Sequence, residues 1–68
     1  MQMREITVGV RTPEGPQVWD VHYVKQTTDL HICGVWLHRT TQEIAEQKWR
    51  DIAPVIAEEI EHTEKLLE

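Results

Sequence analysis

Ile6, Val8 and Val10 alternate with Thr7, Gly9 and Arg11, and two further runs rich in β-branched and aromatic residues follow at residues 17–25 and about 30–37. Pro13-Glu14-Gly15-Pro16 and Thr27-Thr28-Asp29 divide the three runs. Period-two alternation marks a strand with one face buried, and loops this short suit hairpins. Beyond them, Thr40 or Thr41 can cap a helix in which Ala45, Trp49, Ile52, Ile56 and Ile60 recur at three- and four-residue spacing. The expected fold is α+β: a three-stranded antiparallel β-meander at about 4–38, packed on one long C-terminal helix at about 41–67. That helix should be kinked or broken near Pro54, whose ring clashes with the preceding turn and which has no N–H to donate.

One register gathers the apolar residues. With Thr12 opposite Gln17, Val10 faces Trp19, Val8 faces Val21 and Ile6 faces Tyr23; with Lys25 opposite Leu30, Tyr23 faces Ile32, Val21 faces Gly34 and Trp19 faces Trp36. In this register Gly34 leaves room for a bulky helix residue, and Trp49 is the expected core anchor. The helix's apolar positions cover about half its circumference, wider than one sheet contact requires. About 27 helical residues would measure ~40 Å, against ~30 Å for a nine-residue strand, so the helix should overhang the sheet.

Sixty-eight residues make a single domain, 1–68, because a chain this short has no room for a second core. Such domains often draw on a disulfide, a metal or self-association. One cysteine excludes an internal disulfide. Cys33 alone, with no apolar leader and no stretch long enough to span a bilayer, gives the expectation of a reduced, cytoplasmic setting and no membrane contact. The net charge of −5 is uneven. Before residue 41, Glu5, Glu14, Asp20 and Asp29 balance Arg4, Arg11, Lys25 and Arg39; after it, eight acids face three bases. An acidic helix repels phosphate, which argues against nucleic acid as a partner.

The same register turns Val18, Asp20, His22, Val24, His31, Cys33, Val35 and Leu37 to the opposite sheet face. Val18, Val24, Val35 and Leu37 form an apolar strip there, and Ile56, Ile60 and Leu67 lie on the overhanging part of the helix; either set could carry self-association. The helix has the stronger case, since Asp20, His22 and His31 interrupt the strip. An antiparallel helix pair would also separate the glutamate-rich ends.

His22 opposite Cys33, with His31 two residues away, could bring three soft-metal ligands together, but the spacing matches no zinc pattern, and ordinary surface roles are expected. No metal or other cofactor is therefore expected. A cysteine beside a histidine suggests a nucleophile and base, yet no oxyanion donor or phosphate loop accompanies them, and no catalytic residues are assigned. The tryptophans could stack on bases, but their inward positions make core packing the better account. The acidic helix could mimic nucleic-acid phosphate; a solvated face is the simpler reading.

The order strand-strand-strand-helix resembles, in topology, the arm-binding domains of tyrosine integrases and the plant ethylene-response-factor domains. That resemblance implies a sheet face entering the DNA major groove. Here the face offers Arg11 beside Glu5 and Asp20 in place of a basic row. Thr41-Gln42-Glu43-Ile44-Ala45 is similar to the helix start of HicB-type antitoxins, which are also acidic, although the Pro-Gly before that helix is missing. The expected function is a non-enzymatic interaction domain of regulator or inhibitor type. It would bind another macromolecule, a protein before a nucleic acid, as a homodimer, with a sheet-based DNA-binding domain as the alternative.

Overall fold

The computed structural model describes residues 2–26 and 29–67, so Thr27 and Thr28 of the second loop lie outside the described residues. Strands β1 (Met3–Thr12), β2 (Gly15–Lys25) and β3 (Leu30–Leu37) form one antiparallel sheet in the order β1-β2-β3, and helices α1 (Glu46–Arg50) and α2 (Ala53–Leu67) follow. The arrangement is α+β, with the meander preceding the helices.

Thr12 pairs with Gly15 across a turn at Pro13-Glu14, two residues tighter than the expected Thr12–Gln17 closure. Proline pre-sets the backbone angle of the first turn position, and Gly15 takes φ 113°, a value unfavourable to any residue with a Cβ. The Thr12 hydroxyl donates to the Gly15 carbonyl (2.7 Å) and accepts from the Glu14 N–H (3.2 Å). A shift of two residues leaves every side chain on its face and changes only its partner. Val8 therefore faces Trp19, Ile6 faces Val21 and Arg4 faces Tyr23.

The second correction is larger. Between β2 and β3 the expected register holds from Lys25↔Leu30 to Tyr23↔Ile32, and then His22 pairs with Gly34. Cys33 is the extra residue of a β-bulge, and an odd insertion reverses the alternation beyond it. Val35, now opposite Val21, is fully buried, and Leu37 lies opposite Trp19. Trp36 leaves the core side, lies opposite Asp20 and meets the His22 ring at a tilt of 56°, 4.7 Å between ring centroids. Trp19 and Trp36 are thus not partners, and Gly34 makes no room for Trp49. The ring above Gly34 is that of Trp36, close enough that a Cβ there would sit 2.5 Å from it.

The single long helix is also corrected. After a turn in which Arg39 takes φ 62°, residues 42–44 run back along β3: the Leu37 N–H donates to the Gln42 carbonyl (2.9 Å), the Ile44 N–H donates to the Val35 carbonyl (2.7 Å), and Trp36 bridges Glu43. Thr40 caps no helix; its hydroxyl donates to the Leu37 carbonyl (2.8 Å) and accepts from the Gln42 N–H (3.0 Å). Covering that part of a strand edge satisfies backbone groups that a helix start would have left open. The chain leaves helix again at Asp51 and Ile52, and α2 begins at Ala53. Pro54 falls in the first turn of α2, where its missing N–H removes no hydrogen bond.

The buried core is Val8, Trp19, Val21, Tyr23, Val35, Ile44, Ile56 and Ile60. Ile56 and Ile60 are one turn apart on the face of α2 that meets the sheet. Trp49 is half-buried at the margin. Near the end of α2, Glu64 accepts from Arg4 Nη1 and from the Tyr23 hydroxyl (2.6 Å), which ties the helix to the start of β1. Because Glu64 lies within the last turn of a 15-residue helix, α2 does not overhang the sheet as expected.

Candidate functional site

Two polar groupings, one cleft and one groove are built by this fold. On the outer face of the sheet, Glu5 and His22 are cross-strand partners and their side chains pair at 2.9 Å. Beside them Thr7 Oγ1 donates to Asp20 Oδ1 (2.9 Å), which also meets His38 Nδ1 (2.8 Å). The hydrogen bond from His38, with that from Thr7, holds the Asp20 carboxyl below its ordinary value against the opposing effect of burial. An ionised Asp20 accepts from both neighbours, so His38 Nδ1 is the donor.

The order of these groups decides their chemistry. In a hydroxyl-imidazole-carboxylate relay the imidazole stands between nucleophile and acid. Here the carboxylate stands in the middle, and the Thr7 hydroxyl spends its proton on Asp20. The grouping therefore pins the residue after β3 to β2, with the carboxylate and not the imidazole as the partner of the Thr7 hydroxyl.

His22, His31 and Cys33 do not converge. The bulge sets His22 against Gly34, where it is engaged by Glu5 and Trp36, and Cys33 is exposed. Among the described residues no group of three or more His, Cys, Asp or Glu is placed to hold a metal ion.

The residues expected at an interface scatter. Val18 is 44% exposed on the outer face and Val24 is half-buried there, while Val35, Ile56 and Ile60 belong to the core. Leu37 is half-buried on the helix side, and the side chain of Leu67 lies outside the described residues. With Ile56 and Ile60 turned to the sheet, the outward face of α2 carries Val55, Glu58, Glu59, His62 and Leu66, in which charge interrupts the apolar positions.

What the sequence did not disclose is a cleft of about 380 Å³ where the β1–β2 hairpin, the end of β3 and α1 meet. Trp19, Leu37, Ile44 and Ile52 supply its apolar walls, and Arg11, Glu14, Lys48 and Asp51 stand among its polar lining. A shallower groove of about 430 Å³ runs between β3 and the helices, where Leu30, Ile32, Trp49, Ala53 and Ala57 supply apolar lining and Glu46 and Arg50 stand among its charged members.

The Arg4–Tyr23–Glu64 cluster makes the stability of the fold depend on pH. The hydrogen bond from Arg4, then that from Tyr23, holds the Glu64 carboxyl below its usual value. A depressed carboxyl stabilises the fold fully above its unfolded pKa, about 4.3, and that stabilisation is lost as pH falls through the lower folded value. Tyr23, raised chiefly by burial, contributes in the opposite sense, its share being lost as pH rises beyond about 10. Urea midpoints followed from pH 7 to pH 2 should fall below about pH 4, and Glu64→Gln should flatten that fall. An unchanged acid limb in the variant would rule out this cluster as its source.

No helix among the described residues is long and apolar enough to cross a membrane. No family model, curated protein or solved structure matches this chain.

Proposed function

We propose that this chain is a non-enzymatic acidic interaction domain, of regulator or inhibitor type, which binds a protein partner and works as a homodimer. The observation that carries the reading is the margin of the core. Ile6, Val10, Leu30, Ile32, Leu37, Trp49 and Ile52 pack against the buried cluster while remaining partly exposed. In a chain of 68 residues, that much half-covered apolar surface is what association would finish covering. The cleft beside Trp19 and Leu37 suits an apolar side chain from a protein, because apolar side chains wall it and its lining mixes both charges. Glu5 and Asp20 on the outer face, with Arg11 as their basic counterpart, favour a protein over a nucleic acid.

Sedimentation equilibrium tests the self-association. A dimer is expected at about 100 μM, well above the ~1 μM dissociation constant that about −8 kcal/mol implies. A monomer at that concentration would end the homodimer reading.

A further inference from the structure

A strand edge is an array of unmet donors and acceptors, and a fold ordinarily blunts it with charge, with a bulge or with a covering segment. The two edges of this sheet are treated differently. The edge strand β1 carries Arg4, Glu5 and Arg11. Along β3, residues 42–44 cover the part from Val35 to Leu37. Leu30, His31 and Ile32 pair with β2 alone among the described residues, and Leu30-His31-Ile32-Cys33-Gly34 contains no Asp, Glu, Lys or Arg. Beside this uncovered edge lies the groove between β3 and the helices, so hydrogen-bonding and apolar surface are open at one place.

We infer that two copies of the chain pair antiparallel through this edge of β3, about a two-fold axis at His31, and join their sheets into one. This rests on the homodimer reading above and gives it a surface. In that arrangement Leu30 of each copy faces Ile32 of the other on the helix side, and the two His31 side chains are neighbours on the outer side. The contact is self-complementary, as a two-fold interface must be. The open edge of β3 carries no charge to repel its own copy, whereas β1 has three charged residues, and Glu46 and Arg50, which line the groove, are paired with each other. The bulge at Cys33 ends the ladder on one side, so most of the burial comes from the groove. Ala53 and Ala57, the small residues of α2 that line it, let the second helix approach. A two-fold axis normal to the sheet also makes the two α2 helices antiparallel, which carries Glu58, Glu59 and Glu61 of each copy away from those of its mate.

His31 is exposed, so its substitution leaves the core intact. His31→Glu and His31→Lys should each raise the dimer dissociation constant about tenfold or more, because like charges then face each other across the axis. Mixed one to one, the two variants should form a heterodimer close to wild-type strength in sedimentation equilibrium, with unchanged far-ultraviolet circular dichroism throughout. That rescue cannot come from a variant that merely misfolds. If wild type is dimeric and both variants dimerise as tightly alone as mixed, the β3 edge is the wrong surface while the homodimer reading stands. If wild type is a monomer at about 100 μM, both fall together.

Discussion

Trp19→Ala is expected to destabilise the protein by about 3–5 kcal/mol, and Trp49→Ala by less than about 2 kcal/mol. Trp19 is 2% exposed. It stands in the central strand between Val8 on β1 and Leu37 on β3, and its Nε1 donates to Gln17 Oε1 at 2.9 Å. Truncation there removes the largest buried side chain and leaves a cavity whose walls belong to all three strands. Trp49 lies on the five-residue helix α1 at the margin of the core, beside an open groove, so water already meets part of its surface. At roughly 0.05–0.15 kcal/mol per residue, a chain of this length has only ~3–10 kcal/mol in total, and the Trp19 variant should stand near the limit of folding. Urea titrations of both variants compare them directly. Equal losses would mean that Trp49 is as much an anchor as Trp19, which is the role its helical spacing first suggests.

The two residues show what the sequence makes legible and where it stops. The inward faces of β1 and β2 follow from alternation, because Ile6, Val8 and Val10 share one parity and Trp19, Val21 and Tyr23 the other, and any even shift keeps the two sets facing. The choice between registers two residues apart is invisible to that pattern and is made locally, by Pro13 and the positive φ of Gly15. In β3 the alternation itself is broken. A glycine within a strand can mark a bulge; Gly9 in β1 pairs regularly with Val18, whereas Gly34 does mark one. Read instead as space for the helix, it leaves Trp36 inward and Val35 outward, the reverse of their places. The same insertion sets His22 against Gly34 in place of Cys33. Residues 41–45 look like a helix start by composition, and the open edge of β3 overrides that preference. The Arg4–Tyr23–Glu64 cluster had no local signal, because nothing in the sequence distinguishes Glu64 from the other glutamates of α2 until the helix is docked.

Ile60 carries the second large effect. Its spacing with Ile52 and Ile56 correctly places it on the apolar face of a helix, but an overhanging helix would have exposed it, whereas the broken and shorter α2 lays it on the sheet with no exposed surface. Ile60→Ala should therefore cost about 2–5 kcal/mol, and Val55→Ala, on the outward side of the same helix at 55% exposure, less than about 0.5 kcal/mol. In a domain this size each kcal/mol lowers Tm by about 4–8 °C, so thermal unfolding separates the two variants without ambiguity. Ile60→Glu sharpens the contrast, since a carboxylate at that position would be buried among the apolar core residues with no designed partner, and the fold should fail. A surface residue engaged only in association would behave differently: its glutamate variant would be a well-folded monomer with an unchanged Tm extrapolated to low concentration. Recovering such a monomer from Ile60→Glu would place Ile60 outside the core and return the dimer contact to α2.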